Sequence, residues 1–458
     1  MGAVKQEVEG VRTATQPARH CYDSNPNKQE RAMAMGAGEE MGDLIPGLPD
    51  DVAMECLVRV PSHSHRRMRR VCCRWRGAVA SPEFRRRRGA AGASEDVAFL
   101  VQAFPAPGDG KGSTTTAECA LTAANLTTGE LRRVKQGNNN NPAAEAASWW
   151  GPVPLFAQCA AAGDDGRHVA VVGGWDPDTL RPTTGVRVLD VLAGTWRRGR
   201  PMPDSRSFFG CAAGGDGNVY IAGGHDESKN ALRSACAYAV DADAWRALPD
   251  MAQERDEPQL VAVPGGGGGV LAASGYSTEA QGAFKRTAER YATGEGAWAD
   301  EGDVVVPDDA TAETTCLASV GGKVWAVRAG KGGVREWDGA AARAWREVAD
   351  GPPGMEACVK AAGVGDAVFV FRTVAGEAEG EGRKYSAWVM EASGGPWKRV
   401  PVPSGFGGFV YSAAAVRAEG EGRKYSAWVM EASGGPWKRV PVPSGFGGFV
   451  YSAAAVRV

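Results

Sequence analysis

A short apolar run that ends in two glycines occurs twice in this chain, and a tryptophan follows each pair at nearly the same distance. The two runs read HVAVVGGWDP and NVYIAGGHDE. Their glycine pairs begin 50 residues apart, at Gly173 and Gly223, and a tryptophan follows the second glycine by 22 and 21 residues. A fixed period of this size is typical of repeat proteins.

The tryptophans extend the period over most of the chain. Each follows a strand-like segment and a turn, at spacings of 49, 53, 47 and 52 residues, in Trp196, Trp245, Trp298, Trp345 and Trp397. Leu131 takes the same position in a sixth, degenerate unit. Short strands with period-2 alternation and glycine-rich turns lie between these anchors, among them VAFLVQAF, CALTAANL, GVRVLDV, SACAYAV, GVLAASG, KVWAVRA and DAVFVF.

A unit of this length predicts one twisted, four-stranded antiparallel sheet. Such a sheet leaves two faces uncovered, so the units must stack radially and bury face against face. The glycine pairs then mark close backbone approach or positive φ, and the tryptophans fill the gaps between sheets. The sequence therefore predicts a mainly β protein with a six-bladed β-propeller over residues 97–417.

A helical segment precedes the propeller, over residues 41–90. Asp50 and Asp51 suit a helix N-terminus, Pro61 closes that helix, and a second helix carries Met68 to Val79. A third short piece begins at Pro82. Three helices this short bury their apolar faces poorly, so the domain is expected to need a partner. Residues 1–40 show no periodicity and are predicted to be disordered.

The end of the chain carries an internal duplication. Residues 378–417 recur letter for letter at 418–457. The copy lacks the strand DAVFVF and so cannot build a complete blade. Because a propeller closes by pairing strands from both chain ends, either FVYSAAAVR segment, 409–417 or 449–457, can supply the closing strand, and we expect six blades plus a surplus segment over 418–458.

Composition gives little support to catalysis or to nucleic-acid or membrane binding. The net charge is −2, no run of about 18 apolar residues occurs, and the ten cysteines include no C-x-x-C pair. Five histidines are too few for a propeller metal oxidase, so no metal and no cofactor is expected. Between Arg59 and Arg88 lie eleven arginines and one acid. They are interpreted as a solvated surface, a nuclear-targeting or nucleic-acid contact, or a surface for an acidic adaptor.

The strand, glycine pair and spaced tryptophan resemble the kelch repeat, and LIPGLPDDVAMECLVRV with VCCRWRGAV resembles an F-box. Together they resemble the plant F-box/kelch-repeat proteins, nearest the subgroup that directs phenylalanine ammonia-lyase to degradation, with relatives that act on response regulators. MPDSRSFFGCA, AGGHDESKNAL, MAQERDE and GYSTEAQGAFKRTAE carry this finer likeness. The resemblance implies a non-catalytic substrate receptor of a cullin-based SCF ubiquitin ligase in the cytoplasm or nucleus. Its F-box would bind a Skp-type adaptor and its propeller a target protein.

Two sets of site residues follow from this resemblance. The adaptor contacts carried over from the F-box are Leu44, Pro46, Leu48, Pro49, Leu57, Val60, Val71, Cys72 and Trp75. Loop residues beside predicted strands are the candidate substrate contacts, since propellers bind through such loops: Arg206, Phe208, Phe209, His225, Asp226, Glu254, Arg255 and Asp256. The alternatives are a kelch-propeller enzyme and a kelch scaffold with a non-functional F-box.

Overall fold

The computed structural model describes most of residues 43–400 and one strand beyond them. The described ranges are 43–104, 118–128, 131–134, 152–163, 167–192, 194–263, 269–302, 315–328, 333–338, 344–352, 359–364, 367–374, 384–392, 395–400 and 449–457. The predicted disordered tail, the GNNNN segment and most of the duplicated copy lie outside these residues.

The segment before the first strand is helical, as predicted, but it is divided more finely. It contains α1 (Asp50–Val58), a 3₁₀ turn (Ser62–Ser64), α2 (His65–Met68), α3 (Cys73–Ala80) and α4 (Pro82–Ala90). The single second helix expected over Met68 to Val79 is therefore wrong. The Cys72 backbone is extended, and its sulfur accepts the backbone N–H of Trp75, so a new helix begins after Cys72.

Six four-stranded antiparallel sheets follow, as the repeat predicts. Blade 1 holds β1 (Asp96–Phe104), β2 (Glu118–Asn125), β3 (Leu131–Arg133) and a strand from the end of the chain. Blade 2 holds β4 (Gln158–Ala162), β5 (His168–Val172), β6 (Val186–Asp190) and β7 (Thr195–Gly199). Blade 3 holds β8 (Gly210–Ala213), β9 (Val219–Ala222), β10 (Ala235–Ala239) and β11 (Ala244–Leu248).

The other three blades repeat this order. Blade 4 holds β12 (Gln259–Ala262), β13 (Gly269–Ala273), β14 (Ala288–Ala292) and β15 (Ala297–Gly302). Blade 5 holds β16 (Thr315–Val320), β17 (Lys323–Arg328), β18 (Val334–Asp338) and β19 (Ala344–Ala349). Blade 6 holds β20 (Val359–Val364), β21 (Ala367–Val374), β22 (Lys384–Glu391) and β23 (Lys398–Val400). Within each of these blades the first strand in the sequence lies innermost.

The ring closes with the last strand of the chain. β24 (Phe449–Arg457) pairs antiparallel with β1 and contacts the innermost strands β4 and β20 on either side. The closing strand thus comes from the second of the two identical segments, beyond the predicted propeller boundary at residue 417. It leaves blade 1 with the same four-stranded order as the others, and the sheet edge of β1 is covered.

The core lies between blades, and the tryptophans seal its outer side. Trp245 packs against a cluster built from blades 2 and 3, and Trp298 against one built from blades 3 and 4. The indole N–H of Trp245 donates to the Arg200 carbonyl at 2.7 Å, and that of Trp298 to the Pro249 carbonyl at 2.8 Å. Each bond joins an outer strand to the preceding blade, so the predicted role of the tryptophans is confirmed.

The glycine pairs stand where the prediction placed close backbone approach. Gly223 and Gly224 have φ of +65° and +82°. A Cβ on Gly224 would overlap the Ser207 carbonyl oxygen, and a Cβ on Gly223 would overlap that of Arg255 in the next blade. In the third repeat Ser274 keeps the left-handed conformation, at φ +64°, although it carries a side chain.

Candidate functional site

The predicted adaptor contacts include several exposed side chains. Pro46 and Pro49 are exposed, and Leu44 and Leu48 are half-buried around a tight turn in which the Leu48 N–H donates to the Ile45 carbonyl at 3.0 Å. Further along the chain, Val71 is 62% exposed, Cys72 is exposed, and Val60 and Trp75 are half-buried. An aliphatic side chain as open as Val71 suits a surface that a partner covers.

Leu57 differs from the other predicted adaptor contacts. Its side chain is 2% exposed. As a direct adaptor contact this prediction is therefore wrong, because helical spacing puts Leu57 on the inner face of α1, whereas contact requires the outer face. Its burial marks it as part of the core of the helical domain.

Arg88 joins the end of α1 and the residues after it to the first blade. Its guanidinium is 1% exposed and donates to the carbonyls of Val58 and Val60 at 2.7 and 2.6 Å and to Glu95 at 3.3 Å. Glu95 in turn accepts the side-chain N–H of Asn125, at the end of β2, at 3.1 Å. A buried, multiply bonded arginine of this kind holds its neighbours in one arrangement.

A second contact fixes the same end of the propeller. The side chain of Arg66 packs over Gly194 in the β6–β7 turn, where a Cβ would lie 3.1 Å from Arg66 Cδ. Asn125 likewise precedes the β2–β3 turn. In an antiparallel blade these turns lie opposite the loop after the glycine pair, so residues 59–95 adjoin the end of the propeller remote from the glycine pairs.

Two predicted substrate contacts, Arg206 and Arg255, are structural. Arg206 donates to the Ser234 carbonyl at 3.0 Å, and Arg255 donates to the carbonyls of Ser274 and Thr287 at 2.8 and 2.9 Å. They are 3% and 0% exposed, and they occupy the same position in blades 3 and 4. Desolvation lowers the pKa of both guanidinium groups. Their prediction as contacts is wrong, because a loop arginine was assumed to face water.

Phe209 and Asp256 are also enclosed. Phe209 is 3% exposed and packs in the cluster between blades 2 and 3. Asp256 is buried, and its Oδ2 lies 2.8 Å from Nδ1 of His225, which is itself buried. Phe209 is therefore a core residue, and Asp256 with His225 forms an internal pair beneath the surface. Neither Phe209 nor Asp256 presents a side chain to a target, contrary to the prediction.

Two more of the predicted residues shape surface loops. Asp226 is half-buried and accepts the backbone N–H groups of Ser228 and Asn230 at 2.8 and 2.9 Å. The hydrogen bond from the Asn230 side chain, followed by these backbone bonds, lowers the pKa of Asp226. Glu254 is half-buried and accepts the Thr278 hydroxyl at 2.7 Å. Both carboxylates organise the loops at the glycine-pair end of blades 3 and 4.

A row of equivalent residues stands just before the innermost strands of blades 2, 3 and 4. Phe156, Phe208 and Glu257 have φ of +57°, +49° and +53°, a conformation that costs a side-chain-bearing residue about 1–2 kcal/mol. Because this conformation recurs at the same position of three repeats, the blade geometry places the three side chains at equivalent points around the ring. The sequence prediction included only Phe208 of these.

The side chains of this row join those that follow the glycine pairs. Phe156, Trp175 and Phe208 are half-buried and in mutual contact, with ring centroids 5.2–5.8 Å apart. His225 continues the contact, with its ring centroid 5.5 Å from that of Phe208. We call the surface formed by Phe156, Trp175, Phe208, Glu257 and Tyr276, together with the buried His225 that supports it, the entry face, since the innermost strands begin there.

Carboxylates border the aromatic part of the entry face. Glu257 is exposed, and its Oε1 accepts the Tyr276 hydroxyl at 3.2 Å. Packing around the carboxyl removes part of its water and raises its pKa, and the adjacent Asp256 adds to this, while Tyr276, His225 and Lys360 act in the opposite direction. The entry face thus combines accessible rings with an exposed acid.

The His225–Asp256 pair resembles two members of a catalytic triad, which also requires a nucleophile beside the histidine. The nearest candidate is Ser207, whose backbone pairs with that of His225. The Ser207 hydroxyl accepts the indole N–H of Trp175 at 2.8 Å, and no side-chain hydrogen bond joins it to His225 in the described part of the chain. The three residues therefore lack the linkage that activates a serine.

Within the described ranges, no group of three or more histidine, cysteine or acidic side chains is arranged to hold a metal ion. No helix found there is long and apolar enough to cross a membrane.

Both parts of the chain match known families. Residues 45–87 match the F-box domain, and residues 206–252 match the kelch motif. The Arabidopsis thaliana F-box/kelch-repeat protein SKIP20 is 34% identical over 413 residues, which cover 81% of this chain and 96% of that protein. The chain belongs to the plant F-box/kelch-repeat family. The helical domain is its F-box, and the six blades are its kelch propeller.

Other members of the family are comparably similar. F-box/kelch-repeat protein At2g44130 is 37% identical over 286 residues, covering 57% of this chain and 66% of that protein, and At1g15670 is 36% identical over 293 residues, covering 62% and 77%; both are from Arabidopsis thaliana. F-box/kelch-repeat proteins of this type are adaptor-bound substrate receptors. An F-box implies a Skp-type adaptor, and a kelch propeller implies a protein ligand.

Proposed function

We propose that this F-box/kelch-repeat protein holds a target on the entry face while its F-box ties it to a Skp-type adaptor and a cullin-based ubiquitin ligase. The observation that supports this most is the placement of the two surfaces. Arg88 and Arg66 hold residues 59–95 at the end of the propeller remote from the glycine pairs, and the entry face lies at the other end. The segment that carries Val71, Cys72 and Trp75 therefore lies away from the entry face.

The chemistry in this arrangement belongs to the ligase. The receptor contributes by raising the local concentration of target lysines near the ubiquitin-loaded enzyme, an effect that requires no reacting group in this chain. The protein is accordingly a non-catalytic subunit of the complex.

The target we propose is phenylalanine ammonia-lyase or a response regulator, and the site of action is the cytoplasm or nucleus. The support is the likeness of four stretches to the subgroup with these targets: 202–212, 222–232, 251–257 and 275–289. All four lie in blades 3 and 4 or in the loops that enter them. These blades also carry His225, Glu257 and Tyr276 of the entry face.

A reconstituted ligase tests the proposal. The full chain, a Skp-type adaptor and a cullin–RING core are combined with phenylalanine ammonia-lyase or a response regulator, and ubiquitin transfer is followed over time. We expect Phe208→Ala to slow transfer at least about tenfold, because it removes a central ring from the contact. Glu295→Gln, at an exposed turn at the other end of blade 4, is the matched control and should leave transfer unchanged.

The result separates the choices. Transfer to one candidate alone, lost with Phe208→Ala, identifies the target and the face. Transfer to both candidates at the same rate in the parent and in Phe208→Ala would show that the entry face does not hold the target. No transfer to either, with the adaptor bound, would remove both candidates.

A further inference from the structure

One position of the repeat gives the entry face aromatic side chains in two blades and a carboxylate in the next. Phe156 and Phe208 occupy the same position in blades 2 and 3, and their ring centroids are 5.2 Å apart. Glu257 occupies that position in blade 4, with the same left-handed backbone. The blade repeat therefore places Glu257 beside Phe208 in roughly the way that Phe208 lies beside Phe156. Around this end of the propeller, a carboxylate follows two aromatic rings.

The Glu257 carboxylate retains capacity to accept hydrogen bonds. A carboxylate has about four acceptor sites, and among the described contacts the Tyr276 hydroxyl uses one of them. The neighbouring Asp256 is engaged on both oxygens, by the His225 ring and by the Glu257 backbone N–H. Of these two acids, only Glu257 is open to a ligand.

We propose that the Phe208 ring and the Glu257 carboxylate bind an arginine side chain of the target protein; this rests on the receptor function proposed above. A planar guanidinium stacks on an aromatic face and offers paired N–H donors to a carboxylate. An ammonium satisfies the charge but stacks less well, so arginine is preferred over lysine. A ring beside an accessible acid suits that one side-chain class better than an apolar or acidic one.

The charge of Lys360, on the innermost strand β20 of blade 6, also acts on the Glu257 carboxylate. Its positive charge favours the ionised form of Glu257 but also repels an incoming cation. A substitution of Lys360 should therefore change arginine binding in the opposite direction to a substitution of Glu257. Removal of the Glu257 charge should weaken arginine binding, and removal of the Lys360 charge should strengthen it.

The test uses the full chain bound to its adaptor and the peptide acetyl-Gly-Arg-Gly-amide, with the citrulline and lysine peptides as matched probes. Binding is measured by saturation-transfer NMR at low ionic strength. We expect the arginine peptide to bind about tenfold more tightly than the citrulline peptide. Glu257→Gln should lose that difference, Phe208→Leu should weaken binding, and Lys360→Met should tighten it. Glu227→Gln, an exposed acid in the adjacent loop, should have no effect.

The outcomes are distinct from those of the ligase assay. Equal binding of the arginine and citrulline peptides, no binding of either, or unchanged binding in Glu257→Gln would overturn the arginine site. If Phe208→Ala still slows ubiquitin transfer in that case, the receptor proposal stands and only the target chemistry is wrong. A preference for the lysine peptide would equally contradict the proposal, because it would show that charge alone is read.

Discussion

Arg255 and Glu289 form an ion pair that is closed to water inside blade 4. The guanidinium Nη2 lies 3.1 Å from Glu289 Oε1, and the two side chains are 0% and 2% exposed. The arginine precedes β12, and the glutamate lies on β14. The pair thus ties the loop that enters the blade to the blade's third strand, across the position of Ser274.

Replacing Arg255 by methionine should destabilise the propeller strongly. Glu289 would remain buried without its partner, and breaking one half of a buried pair typically costs about 3–5 kcal/mol. Arg233→Met is the control, because Arg233 and Asp250 are both more than half exposed and lie 3.8 Å apart. Chemical denaturation of both variants measures the difference. Equal stability of the two variants would show that Arg255 is not the support described here.

Substitution of the second glycine of a pair tests whether close backbone approach, in addition to the left-handed φ, requires glycine there. Gly224→Ala combines a left-handed φ with overlap on the Ser207 carbonyl, whereas Gly282, at φ +76°, has open space around its Cα. Gly282→Ala should cost about 1 kcal/mol, the strain alone. Gly224→Ala should cost clearly more. Similar losses in thermal unfolding would mean that close approach contributes nothing.

His65 gives the F-box a pH dependence of known sign. Burial, with the adjacent Arg88, lowers its pKa from 6.5 to about 4, while the Val60 carbonyl, Glu95 and His63 have smaller effects. The unfolded chain therefore binds the proton more readily. The stability that His65 contributes is complete above pH 6.5 and falls as the pH drops towards 4, by up to about 3 kcal/mol.

Paired variants isolate this contribution. Unfolding free energies are measured between pH 4 and pH 7 for the parent, His65→Gln and the control His63→Gln. His65→Gln should lose part of the decline at low pH even if it is less stable at pH 7, and His63→Gln should keep it. An unchanged decline in His65→Gln would show that carboxylates alone produce it.

The duplicated segment offers a test of how the ring closes. The closing strand β24 comes from the second copy, but residues 409–417 have the identical sequence. A chain that ends at residue 417 should therefore close with that segment and unfold at nearly the same temperature. A chain that ends at residue 400 has neither segment, leaves the edge of β1 open, and should aggregate or unfold earlier. Equal behaviour of the two truncations would contradict closure by this strand.

Most of the fold could be predicted from the repeat, because a regular period of glycines and tryptophans leaves few ways to bury the faces of the sheets. The site residues were harder to predict, because a position in a loop does not show whether the side chain is buried. Arg206 and Arg255 lie 49 residues apart, and that periodicity is the signal that they serve the architecture. Aligning the repeats in this way also superposes Phe156, Phe208 and Glu257, so the sequence already contained the signal for this row of equivalent residues. Contact between rings of neighbouring blades, by contrast, depends on how the blades pack.

The helical segment shows the same limit at a smaller scale. Helical spacing from Met68 to Val79 predicted one helix, and the extended Cys72 divides it in two. The resemblance to the F-box placed Leu57 among the adaptor contacts, whereas packing encloses its side chain. Apolar residues on a short helix serve either the core or a partner, and only the packing of the other helices distinguishes the two.

The most direct measurement is the affinity of the full chain for a Skp-type adaptor, by calorimetry on purified proteins. We expect a one-to-one complex that Val71→Asp weakens at least about tenfold, because Val71 is open to solvent and a buried charge would oppose docking. Leu180→Asp, on an exposed propeller loop, should bind like the parent. An adaptor that does not bind, or that binds Val71→Asp as tightly as the parent, would contradict the account.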